Sequence, residues 1–365
     1  MGSLNKSGWR CVCALVGGGF LFSSLSAAQP VPGTPLEPVP GVMRFVAPQG
    51  ATYSALILPA PALPKLATVP HDHVLIVDTS ASQNGIYRNR ALALANAVCR
   101  ELPAGDRVQL IAADVACSSL TEEFVETSSK ALASGFERLE DRVPLGSTNI
   151  ELALRTALQS FSGDRARSIL YIGDGFSTAK LIESSAMLKL LTALRTAAVP
   201  VNSFAVGPST DLILLGTLAQ HTGGVVVIDE PQLVADRQGG TGDLVAVAKD
   251  LARASSAPVF YPTTLTTQPQ IPHVYPTLLP PVRFDRETVL LTKDLTSDQI
   301  QVKLTGTFQG QPKTCSWLLK SEIVTGSLSF LAPTWALAEN SQGLAVPLAG
   351  RQLIVNLSGQ SGAVR

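Results

Sequence analysis

The middle of the chain alternates between two patterns of apolar residues, one typical of buried strands and one typical of helices. The run 73–77 is apolar after its first residue, as expected for a strand buried on both faces. Residues 91–102 then place apolar side chains at helical spacing. Further strands are predicted at 107–113, 118–125 (a short antiparallel edge strand), 168–172, 201–206 and 225–228, and further helices at 130–139, 150–161, 187–198, 212–219 and 244–252. Repeated strand–helix units predict an α/β domain over 71–257, with a doubly wound, mostly parallel sheet.

Two proline-rich segments flank this block and suggest the domain organisation. Residues 29–70 contain ten prolines and are expected to form an extended linker or arm. Residues 258–284 hold a second proline cluster and are expected to be a linker. Strand-like runs follow at 288–291, 300–304, 315–319 and 353–355, so that 285–365 is expected to be a small β-rich domain.

The first 28 residues have the pattern of a secretory signal peptide. Lys6 and Arg10 precede an apolar stretch, and Ser26-Ala27-Ala28 supplies the small residues of a cleavage site. The apolar stretch 11–25 is shorter than the roughly 20 residues that span a bilayer, and no later segment is long enough. The sequence therefore predicts export to the periplasm, the cell envelope or the exterior, with no transmembrane segment after the signal.

Composition excludes several classes of protein. Lys and Arg total 28, as do Asp and Glu, and this balance argues against nucleic-acid binding through phosphate contacts. Hydrophobic residues make up 45% and charged residues 15%, which excludes a disordered, self-repelling chain. Five cysteines and four histidines provide no obvious zinc framework. After removal of the signal, Cys99, Cys117 and Cys315 remain, either as one Cys99–Cys117 disulfide with a free thiol or as three thiols.

Polar residues that suit a metal ion occur where two predicted strands end. The first strand is followed by Asp78-Thr79-Ser80-Ala81-Ser82, and the strand 168–172 by Gly173-Asp174-Gly175. Gly146-Ser147-Thr148-Asn149 directly precedes a predicted helix. Doubly wound sheets bind ligands at the carboxyl ends of their strands. Hydroxyl and carboxylate oxygens suit Mg²⁺, Mn²⁺ or Ca²⁺ better than zinc.

With these positions in place, the block resembles a von Willebrand factor type A domain of the bacterial exported type. Its Asp-x-Ser-x-Ser loop is similar to the metal-ion-dependent adhesion site of that family. The resemblance implies metal ligation by Asp78, Ser80, Ser82, Thr148 and Asp174. It further implies direct coordination by the hydroxyls, with the two carboxylates acting through water, and a bound Mg²⁺, with Mn²⁺ or Ca²⁺ as possible substitutes.

Four of these residues also have a purely structural interpretation, and Asp174-Gly175 fits an ordinary turn. Thr148 fits a helix N-cap, because Thr148-x-x-Glu151 is a capping box, and Ser80 and Ser82 fit helix caps as well. Ser147 would replace Thr148 if the register of the loop shifted by one residue. The triplet 71–73, His-Asp-His, resembles a metal clip, but it lies at the opposite end of the first strand and is interpreted as structural.

The resemblance implies a function in protein binding rather than catalysis. A phosphotransferase of the haloacid dehalogenase type needs a second Asp where this chain has Ser80, and neither a Gly-x-Ser-x-Gly elbow nor a dinucleotide-binding glycine motif is present. We expect a non-enzymatic module for adhesion or assembly at the cell envelope, whose metal ion bridges to an Asp or Glu of a protein partner. The alternative is a metal-free structural scaffold domain of a larger envelope protein.

Overall fold

The computed structural model describes residues 36–62, 69–229, 242–321 and 328–341. The strands are β1 Pro38–Val46, β2 Thr52–Leu58, β3 His71–Asp78, β4 Arg107–Ala113, β5 Cys117–Ser119, β6 Val125–Glu126, β7 Ala166–Gly173, β8 Val201–Ala205, β9 Val226–Ile228, β10 Val259–Gln268, β11 Val274–Tyr275, β12 Val282–Arg283, β13 Thr288–Lys293, β14 Gln299–Phe308 and β15 Gln311–Ser321. The helices are α1 Gly85–Glu101, α2 Lys130–Asp141, α3 Ile150–Ser160, α4 Ser184–Thr196, α5 Leu212–Thr222, α6 Gly242–Ser255 and α7 Leu331–Asn340. The predicted signal peptide and the predicted strand 353–355 lie outside the described residues.

The chain divides into two compact units. Ala67–Ala257 form an α/β unit, and the segments on either side of it together form a β-rich unit. Among the described residues, no helix has the length and apolar character needed to cross a membrane.

The α/β unit is built on one twisted sheet with the strand order β5-β4-β3-β7-β8-β9. Its central pairs are parallel, whereas β5 and β6 each pair antiparallel with β4. The chain winds outward from β3 in both directions, so that β3 and β7 flank the point where the strand order reverses. The predicted doubly wound, mostly parallel α/β fold is confirmed.

The core of this unit forms because its central strands bury both faces. From Asp72 to Asp78, every residue of β3 is buried, which explains its continuous apolar run. The helices bury one stripe each; on α1 the stripe consists of Ala91, Leu94, Ala95, Val98 and Cys99.

Cys99, Cys117 and Cys315 are free thiols, so the structure does not contain the Cys99–Cys117 disulfide that the sequence left open.

The β-rich unit is a single sheet with the strand order β11-β13-β2-β1-β15-β14-β10-β12. Strand β1 pairs parallel with β15 and antiparallel with β2, so strands from the amino-terminal flank lie in the middle of the sheet. Residues 38–58 of the expected proline-rich arm, and much of the expected linker 258–284, are therefore part of this sheet. The C-terminal region is β-rich as predicted, but it is completed by the opposite flank of the chain.

Proline density misled the sequence interpretation because the described prolines of this segment lie at the start of β1 or outside the two strands. Stretches 41–47 and 49–58 contain no proline, and they carry most of β1 and all of β2. Pro38 and Pro40 are among the first three residues of β1, and the register against β15 shifts just after Pro40. The identity of β1 as a central strand depends on residues more than two hundred positions away, which no local pattern reveals.

Both faces of this sheet are covered by apolar side chains. One face carries a core that includes Val42, Leu56, Phe260 and Trp317. On the other face, α7 packs Trp335 against a second cluster that includes Met43 and other apolar side chains of β2 and β13. Tyr275 also contributes its ring, with its centroid 4.7 Å from that of Trp335.

Polar contacts of buried Asp72, His73 and Asp106 hold the amino-terminal rim of the parallel sheet. His73 Nε2 lies 3.0 Å from Asp106 Oδ2, with both side chains buried. Asp72 accepts hydrogen bonds from Arg107 at 2.9 and 2.8 Å and from Arg165 Nε at 2.7 Å. These contacts support the structural interpretation of the triplet 71–73. No group of three or more His, Cys, Asp or Glu suited to holding a metal ion occurs within the described ranges.

The placement of β2 predicts that Leu56→Ala destabilises the β-rich unit by about 2–5 kcal/mol, because Leu56 is fully buried in its core. Trp317 and Trp335 both belong to this unit, whereas Trp9 lies in the predicted signal. Urea unfolding followed by tryptophan fluorescence of the processed chain measures the effect. The matched control Val46→Ala, at a position 60% exposed on β1, should change stability little. Equal midpoints for both variants would contradict the position of β2.

The position of His71 at this rim predicts that the stability of the protein depends on pH. Burial, followed by the neighbouring His73, lowers the pKa of His71 from 6.5 to about 4. A histidine whose pKa is lowered by folding binds protons more readily when unfolded, so its contribution to stability is present above pH 6.5 and is lost towards pH 4. His71→Gln should therefore lose less stability than the wild type across this range, measured by thermal unfolding with circular dichroism. The exposed His273→Gln serves as control and should follow the wild type.

Candidate metal centre

The carboxylate of Asp78 is the centre of a buried hydrogen-bond network at the carboxyl end of β3. Its side chain is 1% exposed. It accepts a hydrogen bond from the backbone N–H of Ser80 at 2.8 Å, from Thr148 Oγ1 at 2.9 Å to each oxygen, and from Tyr171 Oη at 2.7 Å. Burial raises the pKa of Asp78, although these hydrogen bonds favour its charged form.

Asp174 directly follows β7, the strand adjacent to β3, and anchors the second half of the network. Its Oδ2 accepts a hydrogen bond from Ser82 Oγ at 2.5 Å, and its Oδ1 accepts one from the backbone N–H of Phe176 at 2.9 Å. Ser82 Oγ lies 3.0 Å from Ser80 Oγ. Ser80, Ser82 and Asp174 are thus linked to one another, and Thr148 is linked to Asp78, whose oxygen also holds the backbone of Ser80. The structure brings together all five side chains that the sequence singled out.

Backbone hydrogen bonds fix the loops that carry these side chains. Ala81 N donates to Gly146 O at 3.0 Å, and Leu145 N donates to Thr79 O at 3.1 Å. Ala179 N donates to Thr148 O at 3.1 Å, which ties the loop after β7 to the same segment. The loop 142–149 is therefore hydrogen-bonded to the loops that follow β3 and β7, although it does not itself follow a strand that ends at this edge.

The side chains face a cleft of about 210 Å³. It is lined by Ser80, Ser82, Gly146, Asp174, Phe176, Thr178, Pro208 and Ser209. Two of the hydroxyl ligands and one carboxylate proposed from the sequence are therefore accessible from this cleft, whereas Asp78 and Thr148 lie beneath them, each 1% exposed.

Comparison with known proteins assigns the α/β unit to a family. Residues 72–228 match the family model described as the von Willebrand factor type A domain. This segment is a von Willebrand factor type A domain. None of the curated proteins compared with the chain matches it.

Two solved structures, each with a TM-score of 0.50, agree with this type A fold. A von Willebrand factor type A protein from Catenulispora acidiphila has a TM-score of 0.50 and 12% identity, over 79% of this chain and 75% of that one. The human COPII-coat protein Sec24c has a TM-score of 0.50 and 11% identity, over 83% of this chain and 52% of that one, about half of its length. Proximal thread matrix protein 1 from the mussel byssus, with a zinc-occupied MIDAS motif, has a TM-score of 0.40 and 16% identity, over 53% of this chain and 50% of that one. At these identities the likeness concerns the fold.

The donor set of the type A domain fits a hard divalent cation. All five side chains offer oxygen, and none is a softer Cys or His ligand. Asp78 accepts the proton of Thr148, and Asp174 accepts that of Ser82, so these hydroxyl oxygens keep lone pairs for a cation. The hydrogen-bond pattern therefore suits an ion held chiefly by hydroxyls, with the carboxylates behind them.

The structure excludes the helix-cap interpretation of Thr148, Ser80 and Ser82. The N-cap of α3 is Asn149, whose side chain accepts from Leu152 N, so Thr148 is not the cap of this helix. Helix α1 begins after Asn84, beyond Ser80 and Ser82. It is Thr148, rather than its neighbour Ser147, whose hydroxyl donates to Asp78.

Tyr171 and Gly173 belong to the site but were missed by the sequence analysis. Tyr171 is fully enclosed, and its hydroxyl donates to Asp78. A Cβ at Gly173 would lie 2.5 Å from Asp78 Cβ and 2.6 Å from Tyr171 Oη, so only glycine leaves room for both. A tyrosine within the apolar run 169–172, two residues before a Gly-Asp, was the available signal, because a buried phenol needs a polar partner.

Two ion pairs support the loops and were also missed. Arg142 Nη2 donates to Asp114 Oδ2 at 2.7 Å, while Thr79 Oγ1 donates to the same oxygen at 3.2 Å. Lys180 Nζ donates to Glu151 Oε2 at 3.0 Å, joining the loop after β7 to the start of α3. Local sequence contains no signal for these pairs, since each joins separate segments of the chain.

Tyr171→Phe is expected to destabilise the type A domain by about 1.5–3 kcal/mol, because the ring still fills its space while Asp78 loses a hydrogen-bond donor. Urea unfolding followed by far-ultraviolet circular dichroism measures the loss. Tyr87→Phe, on half-buried Tyr87 of α1, is the matched control and should change stability by less. If the two variants were equally stable, the phenol would not be supporting the buried carboxylate.

Proposed function

We propose that the type A domain binds a divalent cation at Asp78, Ser80, Ser82, Thr148 and Asp174, and binds a protein partner through that ion. The observation that carries this proposal is the single hydrogen-bonded network of oxygen side chains, contributed by three loops and open to a cleft. Protein binding is a common role of the type A family. Mg²⁺ is the expected ion, with Mn²⁺ or Ca²⁺ as possible substitutes.

Each residue has a defined role in this proposal. The hydroxyls of Ser80, Ser82 and Thr148 coordinate the cation directly, while Asp78 and Asp174 orient them and offset the charge of the ion. A cation bound chiefly by neutral hydroxyls retains much of its positive charge. The bound ion supplies a positive centre in the cleft, where an Asp or Glu carboxylate of the partner can complete the coordination.

We propose a binding module rather than an enzyme, acting after export in adhesion or assembly at the cell envelope. The side chains lining the described cleft include no histidine or cysteine that would serve as a general base or thiol nucleophile. Residues 1–28 have the pattern of a cleaved signal, which supports export. The competing proposal, a metal-free structural scaffold, retains the same network as internal support for the loops.

Calorimetric titration of Mg²⁺ and Mn²⁺ into the processed protein separates these proposals. Wild type should bind about one ion per chain, and Thr148→Val should abolish binding, because valine preserves shape but removes a ligand hydroxyl. Ser147→Ala is the matched control, and it should bind as the wild type does, since the adjacent Thr148 makes the contact with Asp78.

Asp78→Asn provides a second arm of the same experiment. It should lose Mg²⁺ binding while remaining folded in metal-free buffer, because the amide removes the buried charge but keeps one oxygen acceptor. Circular dichroism checks the fold. Absence of heat in the wild type, or equal heat in wild type and Thr148→Val, would contradict the proposed metal centre and favour the scaffold.

A further inference from the structure

Exposed apolar side chains surround the cleft of the candidate metal centre. In the described structure, the exposed large hydrophobics of the loops at this rim and of the first turns of α1 and α5 are Ile86, Val115, Val143, Leu145, Phe176, Leu181 and Ile213. We call these seven residues the apolar rim. Their exposed fractions run from 39% for Phe176 to 85% for Leu181. A group of large apolar side chains exposed to solvent around one cleft is typical of an interaction surface.

The apolar rim is built from segments that already contact one another. Phe176 lines the cleft itself. A Cβ on Gly146 would lie 3.5 Å from Val115 Cγ1, so the loop that contains Leu145 lies against the β4–β5 turn. Asp211 N donates to Asp174 O at 2.8 Å, which places the start of α5 and Ile213 beside the metal-binding loops.

The opposite rim of the same sheet has a different character. Its described turns, 102–106, 161–165, 197–200 and 223–225, contain none of the exposed large hydrophobics. Asp72 at that rim is paired with Arg107 and Arg165. The asymmetry between the two rims assigns the apolar surface to the cleft rather than to the domain as a whole.

Charge at the apolar rim restricts the kind of partner that fits. Within the described part of the loops at this rim, the two basic side chains, Arg142 and Lys180, are paired with Asp114 and Glu151. Arg88, in the first turn of α1, donates to three backbone carbonyls. A run of carboxylates on a partner would therefore meet, in these described loops, no cation without an acidic partner except the bound metal ion, and it would be repelled by Asp174. A single carboxylate suits the site, with the remaining contact made by apolar groups.

Residues 1–35 and 342–365 contain neither Asp nor Glu, so these two segments are not the source of the carboxylate side chain. We infer that the cleft binds a segment of another protein that presents one Asp or Glu flanked on both sides by apolar side chains. This inference rests on the proposed function, since the carboxylate is bound through the cation, while the apolar rim determines which acidic segments are accepted.

A displayed library of short peptides with a fixed central Asp and randomised flanks tests the inference. Selection against the processed protein in Mg²⁺ should enrich apolar residues on both sides of the Asp. A selected peptide should bind Leu145→Gln and Leu181→Gln at least about tenfold more weakly than wild type, since each change removes a Leu that becomes buried on binding. Replacing its central Asp by Asn should remove binding.

Two controls separate this inference from the proposed function. Leu188→Gln changes a hydrophobic residue on α4 that is 39% exposed and lies outside the rim, and it should bind the peptide as wild type does. Both rim variants should keep the wild-type Mg²⁺ titration, because their side chains are not ligands. Loss of peptide binding with retained Mg²⁺ binding therefore supports the apolar rim specifically.

Several results would overturn the inference. Enrichment of acidic or polar flanks, no selected peptide, or unchanged binding by both rim variants would exclude an apolar selectivity even if Mg²⁺ binds. Sedimentation with phosphatidylcholine–phosphatidylglycerol vesicles that depends on Leu145 and Leu181 would assign the rim to a lipid surface instead. Absence of Mg²⁺ binding in the wild type would overturn the proposed function and this inference together.

Discussion

The burial of one carboxylate at the end of the central strand organises the whole candidate site. Asp78 lies where β3 ends, and its described hydrogen bonds come from neutral donors, namely Ser80 N, Thr148 and Tyr171. A buried carboxylate that receives only neutral hydrogen bonds keeps its negative charge largely uncompensated. The requirement to satisfy Asp78 explains the tyrosine inside β7, the glycine beside it and the position of the loop 142–149.

The doubly wound topology explains why these groups can meet. Strands β3 and β7 are adjacent and parallel, so Asp78 and Asp174 come from the carboxyl ends of neighbouring strands at the point where the strand order reverses. The hydroxyls then lie between two carboxylates that accept their protons. Such an arrangement keeps hydroxyl oxygens available to a cation without placing two charges directly against it.

Local pattern was sufficient for most strands and helices of the α/β unit, because period is a local property, although the strand predicted at 118–125 is in fact two short strands, β5 and β6. The five oxygen side chains were singled out by the family resemblance together with the strand-end positions of Asp78 and Asp174. Local pattern was insufficient for Tyr171, whose role depends on the neighbouring strand, and for Lys180 and Arg142, whose partners lie elsewhere in the chain. It also misassigned residues 38–58, since β1 becomes a central strand only by pairing with β15. Contacts between distant segments, rather than propensity, account for these differences.

Ionic and apolar contacts contribute differently to binding at a site of this kind. One ion and one carboxylate fix position and orientation, but their interaction is partly offset by the loss of water from both charges. Apolar side chains around them contribute affinity without requiring further charge, and they shield the ionic contact from solvent once a partner is bound. The polar centre within the apolar rim therefore follows from the same balance that places Asp78 beneath the hydroxyls: charge is confined to the centre, and neutral groups surround it.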